Sequence, residues 1–197
     1  ELKYEEISAI FVAHRTNEEG IIRTRRLFST LNKTAKPVSH SEIIALDEDD
    51  NCAVLTRHFS EDFELFKNKI LFNKTRALPT SYNDKFTNIM TLYDIIKIIM
   101  TDIKIANKKT TGKLNKTYTK KRESDNELVK DKTYLSSKFT KIINDITILK
   151  EFFIKDKEIN RDDHNSSLLF RPIGQNVFFS IFKIASENNK ENDVIEL

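Results

Sequence analysis

Cysteine, glycine, proline and tryptophan are all scarce in this chain of 197 residues, which holds Cys 1, Gly 3, Pro 3 and Trp 0. The single Cys52 excludes an internal disulfide and a cysteine-based zinc site, and makes a reducing, cytoplasmic setting the expectation. So little glycine and proline is poor punctuation for an all-β fold and suits long helices. No uncharged apolar run reaches the roughly 18–20 residues that a transmembrane helix needs. The longest, Leu92 to Ile105, is broken by Asp94, Lys97, Asp102 and Lys104, so no membrane partner is expected. Charge of one sign is lacking too: Lys+Arg 33 against Asp+Glu 30 leaves a net +3, which names no partner by itself. No signal peptide is expected, and the start at Glu1 followed by an interior-type strand reads as the downstream part of something longer.

What is present is apolar and rhythmic. Hydrophobic residues make up 39%, with Phe 14, enough to exclude wholesale disorder and to build a core. Ile7-Ser8-Ala9-Ile10-Phe11-Val12-Ala13 reads as a buried strand. From Gly20 to Lys33, Ile21, Leu27, Phe28 and Leu31 fall on one helical face, while Arg23, Arg25, Arg26 and Lys33 occupy the others. Lys36-Pro37 ends that helix. Ser39 and Glu42 stand at capping-box spacing for a second helix, and Ala53, Val54, Leu55 and Phe59 begin a third. Phe63 to Phe72 is apolar but irregular, with a strand expected around Ile70 to Thr75. Thr91 to Ile105 is the clearest helix and is apolar over more than half its circumference, which places it in the core.

Composition changes after Ala106. Residues 107–123 are rich in lysine, threonine and asparagine and read as a flexible, basic loop. Helical periodicity resumes at Ser124 and runs through Tyr134, Leu135, Phe139, Ile142, Ile143, Ile146, Leu149, Phe152 and Phe153, as one long helix or two with a bend. Pro172 fits the first turn of a last helix through Val177, Phe178, Ile181, Phe182 and Ile184. The fold class expected is α+β and predominantly α-helical. A short N-terminal strand element within 1–36 would be followed by a mainly helical domain over 37–188.

Chemistry is mostly excluded. His14, His40, His58 and His164 lack any spacing that sets two metal ligands on one helical face. The acidic run Asp47-Glu48-Asp49-Asp50 has neither the alternation nor the glycine of a calcium loop; it reads as a helix end with Asp50 capping the next helix, and Asp47 within reach of Arg57. Cys52, beside Ala53 and Val54, reads as a buried structural thiol. Ser166-Ser167 has no nucleophile-elbow context, and Gly20, Gly112 and Gly174 make no phosphate loop. No cofactor, metal or catalytic residue is expected in this chain.

Two basic clusters remain. Arg23, Arg25, Arg26, Lys33 and Lys36 lie on or just beyond one short helix, and Lys108, Lys109, Lys120, Lys121 and Arg122 belong to the loop. Such groups neutralise nucleic-acid phosphates without reading sequence. For the loop, a merely solvated surface explains the lysines as well. Arginine, which dominates the first cluster, is the better phosphate ligand.

Three stretches carry a resemblance. Leu27-Phe28-Ser29-Thr30-Leu31-Asn32-Lys33-Thr34-Ala35-Lys36-Pro37-Val38-Ser39, then Leu46 to Asp50 followed by Ala53-Val54-Leu55-Thr56-Arg57, then Leu168-Leu169-Phe170-Arg171-Pro172-Ile173-Gly174-Gln175 resemble, in order, segments of the DGQHR-domain family, the DndB-like proteins of DNA sulfur modification. The matches span roughly residues 7 to 180. The naming motif Asp-Gly-Gln-His-Arg is absent, and Gly-Gln occurs only at 174–175. The resemblance implies that 1–36 ends an α/β part like those of ParB and sulfiredoxin, and that the nucleotide or active-site motif lies upstream.

It also implies a DNA-associated accessory or regulatory module in DNA modification or defence. DNA, other DNA-modification proteins and a second copy of the chain are the partners expected. Asn32, Arg57 and Arg171 are candidate pocket residues. Asn32 at a helix C-cap, or Arg171 paired with Asp47 or Asp49, are the plainer alternatives. Two other functions compete: the pocket wall of a nucleotide-dependent or nuclease-like enzyme, and a helical interaction module using 91–105 and 134–153.

Overall fold

A computed structural model describes residues 13, 15–35, 38–106, 118–161, 163, 166–188 and 190–195, and among these described residues eight α-helices and one short pair of strands are formed. The helices are α1 (Glu18–Ala35), α2 (His40–Leu46), α3 (Asn51–Glu61), α4 (Ile89–Ala106), α5 (Asp125–Asp145), α6 (Thr147–Ile154), α7 (Pro172–Glu187) and α8 (Glu191–Ile195). Strands β1 (Ile70–Leu71) and β2 (Thr87–Asn88) pair in parallel, with Ile70 opposite Thr87 and Leu71 opposite Asn88. The architecture is thus α+β and predominantly helical. The strand expected over Ile7 to Val12 and the loop over 107–117 lie outside the described residues.

Local signals explain most helix starts. Ser39 and Glu42 form the reciprocal capping box of α2, with the Ser39 N–H donating to Glu42 Oε2 at 2.8 Å. Asp50 Oδ1 accepts from the backbone N–H groups of Cys52 at 2.9 Å and Ala53 at 3.3 Å, so it caps α3. Ser124 caps α5 through the Glu127 N–H, and Pro172 occupies the first turn of α7. Between α5 and α6 the extended Ile146 (φ −93, ψ 112) makes the break, so the long periodic stretch is two helices.

At the centre lies α4. Leu92, Ile95, Ile96 and Met100 are shut off from water between α7, α3, α2 and α5. Around it Phe59, Phe66, Phe86, Phe139, Phe152, Phe153 and Phe170 touch one another mostly edge-on or tilted, with Phe66 and Phe86 stacked, geometries that aromatic pairs favour. The apolar residues of 91–100 and 134–153 are thus largely core: Leu135, Phe139, Ile142, Ile143, Leu149, Phe152 and Phe153 are all buried.

The face of α1 that carries Ile21, Phe28 and Leu31 stays exposed, because the helix is held to the body through its arginine-bearing side. Two expectations need correction. Asn32 does not cap α1, which continues to Ala35. The strand near residue 70 also shrinks, since β1 holds Ile70 and Leu71 alone.

Candidate nucleic-acid interface

The turn between α2 and α3 gives each of its four acids a different task. Asp50 caps α3, and its second oxygen accepts the Tyr93 hydroxyl at 2.6 Å; burial nevertheless pushes this carboxyl above the usual range. Asp47 Oδ1 accepts the N–H groups of Asp49 at 3.0 Å and Asp50 at 3.2 Å, which shapes the turn. Its Oδ2 meets Lys33 Nζ at 3.0 Å. Burial works against the Asp47 charge, but the lysine and the two N–H donors outweigh it and hold the carboxyl below its ordinary range. Asp49 lies on the surface and meets Arg26 Nη2 at 3.0 Å.

Glu48 is the buried member, with its side chain 3% exposed. Its Oε1 accepts from Arg57 Nη2 at 3.0 Å and Arg25 Nη1 at 3.3 Å, and its Oε2 from Arg122 Nη1 at 2.6 Å. Arg57 turns its other nitrogen to the carbonyls of Ile44 at 2.6 Å and Asp47 at 2.9 Å, tying α3 to the end of α2. Burial lowers the Arg57 guanidinium, and Glu48 opposes that loss. Arg122 also reaches Asp125 at 3.2 Å. Beside it the buried Asn51 donates to the carbonyls of Tyr118 at 2.7 Å and Lys121 at 2.9 Å, and accepts the Glu123 N–H at 2.9 Å. The 118–123 segment is thereby fastened to the start of α3.

One carboxylate therefore joins the two basic clusters, with Arg25 from α1 and Arg122 from the loop segment meeting on Glu48. Arg25, Arg26 and Lys33 remain about half exposed while ion-paired. Arg23, Lys120 and Lys121 are exposed and make no ion pair among the described residues. Lys36, Lys108 and Lys109 lie outside the described residues, as does the side chain of Asn32.

Among the described residues, Arg57 and Arg171 are held by different partners. Arg57 is committed to Glu48 and two carbonyls, and Arg171 donates to the Arg161 carbonyl at 2.7 Å. Asp47 and Asp49 take Lys33 and Arg26 rather than Arg171. Two clefts, about 340 Å³ beside Phe152 and Ser167 and about 400 Å³ beside Lys97 and Lys183, include neither Arg57 nor Arg171 in their walls. Asp47 does contact Arg57, but through its backbone carbonyl.

Sequence reasoning missed two residues. Glu48, the hub of the site, is chemically indistinguishable from its acidic neighbours. Arg161 is buried and donates to the carbonyls of Tyr82, Lys85 and Phe170, clamping the segment before β2 to the start of α7. No local pattern announces it. Among the described residues no group of three or more His, Cys, Asp or Glu could hold a metal ion, and no helix is long and apolar enough to cross a membrane.

The fold and site define a predominantly helical α+β protein in which basic side chains from α1, α3 and the segment before α5 pair with one acidic turn. Comparison supplies the family. Residues 1–176 match the family model DndB, described as DNA-sulfur modification-associated, and the chain belongs to that family. No curated protein and no solved structure matches it.

Proposed function

We propose that the chain serves a DNA sulfur-modification system as a DNA-associated accessory or regulatory module, and that its DNA-facing surface is built from Arg23, Arg26 and Lys33 of α1 together with Lys120 and Lys121. The observation that supports this reading is the convergence of both basic clusters on Glu48, with the half-exposed Arg26 and Lys33 held at the same acidic turn. Membership of the DndB family supplies the biological setting. Arg25 and Arg122 act as anchors of the surface, because their guanidinium groups are held by Glu48. Lys36, Lys108 and Lys109 extend the same charge along the chain.

The test is a salt titration of duplex DNA binding. Replacing Arg23 and Arg26 by alanine lowers affinity and reduces the log–log salt slope by about one for each phosphate that is no longer neutralised. Affinity and slope that match the unsubstituted chain's would overturn the assignment of α1.

A further inference from the structure

Helix α7 is apolar on two sides. One side, with Gln175, Phe179, Phe182 and Ala185, is buried against the body. The other carries Ile173, Val177, Ile181 and Ile184, spaced four, four and three residues apart, which places them on one stripe. These four are 81%, 54%, 48% and 58% exposed, and Leu168 in the preceding turn is 68% exposed. A helix that is hydrophobic all round belongs in an interior. Contiguous apolar patches of a few hundred Å² on a soluble chain mark interaction sites.

We infer that this stripe is the interface between two copies of the chain, packed as an antiparallel α7–α7 pair about a two-fold axis near Phe179. The stripe is complementary to itself in that arrangement. Val177 of one copy falls opposite Ile181 of the other, and Ile173 falls opposite Ile184. The antiparallel arrangement keeps the two exposed Arg171 side chains at opposite ends, whereas a parallel pair would set Arg171 against Arg171. Antiparallel helix dipoles also attract. Such a pairing is isologous, the commonest symmetry of soluble oligomers.

Size is adequate for a reversible dimer. A 16-residue helix is about 24 Å long and about 10–12 Å across with its side chains, so an α7–α7 contact buries on the order of a few hundred Å² per copy. That lies at the weak, concentration-dependent end of specific interfaces. Nucleic acid does not fit the stripe, whose exposed side chains offer no cation. A membrane surface wants a lysine- and arginine-rich flank, and α7 holds Lys183 alone.

The experiment is sedimentation equilibrium on the whole chain at up to about 200 μM, a range that reveals interfaces of this size. The expected result is a monomer–dimer equilibrium that Ile181→Glu weakens at least tenfold, with the helical circular-dichroism spectrum unchanged because Ile181 faces solvent in the monomer. Oxidative cross-linking reads the register: mixed Val177→Cys and Ile181→Cys chains should couple to each other faster than either couples to itself. A chain that stays monomeric throughout the range overturns the inference and leaves the stripe to a different protein or to a membrane. A dimer indifferent to Ile181→Glu, or faster self-coupling of each variant, overturns it equally.

Discussion

Arg122 donates to Glu48 Oε2 at 2.6 Å across a sequence separation of 74 residues, while Arg57 and Arg25 share the opposite oxygen. The three arginines differ in burial, and this difference ranks their contributions. Arg57 is 7% exposed and also serves two carbonyls, so Arg57→Ala leaves Glu48 without its best-buried partner and two acceptors unfilled. Breaking a buried pair in this way costs about 3–5 kcal/mol. Arg25, with 44% of its side chain exposed, should cost less than about 1 kcal/mol when replaced by alanine. Urea denaturation of the two variants checks the order, and equal losses would show that Glu48 is not the hub described.

The acidic turn competes for the cations that the proposed DNA surface needs. Lys33 is held by Asp47 and Arg26 by Asp49, both at 3.0 Å. Asp47→Asn together with Asp49→Asn should therefore free both, strengthening duplex binding and steepening its dependence on salt. Each released cation that finds a phosphate adds about one to the slope. If the double variant binds DNA as the unsubstituted chain does, the half-exposed pairs do not limit access.

How much could be read from the sequence depended on distance along it. The Ser39–Glu42 box, the Asp50 cap and Pro172 in the first turn involve groups within a few residues, and each was legible. So was the burial of α4, because continuous apolarity over a helix leaves it no wet face. The hub was not legible. Glu48 sits among three other acids, and its partners come from α1, α3 and the segment before α5, which no local spacing connects. Periodicity correctly grouped Ile21, Phe28 and Leu31 on α1, yet it cannot say which face docks. Here the ion pairs to Glu48, Asp49 and Asp47 decide that, and the apolar residues are turned outward.

Acid should weaken the α2 region in a predictable window. The Ser39 hydroxyl and backbone N–H hold the Glu42 carboxyl at about 2, against an ordinary value of 4.5, and Lys74 adds to the effect. A carboxyl depressed in the folded state stabilises it above the unfolded value, and that contribution disappears as pH falls from about 4.5 toward 2. Asp47, also depressed, acts in the same sense, while Asp50, raised by burial, offsets part of the loss. Ser39→Ala removes the first cause of the Glu42 shift, so stability against urea should vary less with pH across this window than in the unsubstituted chain. Unchanged pH dependence in Ser39→Ala would assign the acid sensitivity elsewhere.

Cys52 should be inert in the native state. It is 1% exposed, and burial together with the neighbouring Asp50 charge pushes its thiol well above the ordinary range. The thiolate is the reactive form, so both access and ionisation oppose modification. A thiol reagent should label Cys52 at the rate at which the chain unfolds, rising with urea. Labelling as fast as a free peptide thiol without denaturant would contradict the burial of α3 against the core.

Gly174 offers the sharpest packing test, because two opposing effects predict different signs. In an ordinary helix interior, alanine is better than glycine by about 1 kcal/mol. In α7, however, a Cβ on residue 174 would lie 2.0 Å from the backbone carbonyl oxygen of Leu168. That oxygen cannot move aside freely, since the Leu168 carbonyl already accepts the Arg171 N–H at 2.9 Å. The neighbouring Gln175 clamps the same junction, donating to the carbonyls of Phe86 at 3.0 Å and Leu169 at 2.9 Å. The turn and the helix must therefore separate to admit a methyl group, exposing Phe170 at the edge of the aromatic core. Gly174→Ala should destabilise the chain by about 2–3 kcal/mol, the range of clear steric overpacking. Urea denaturation measures it directly, and a variant as stable as the parent would mean that Leu168 does not close onto the first turn of α7.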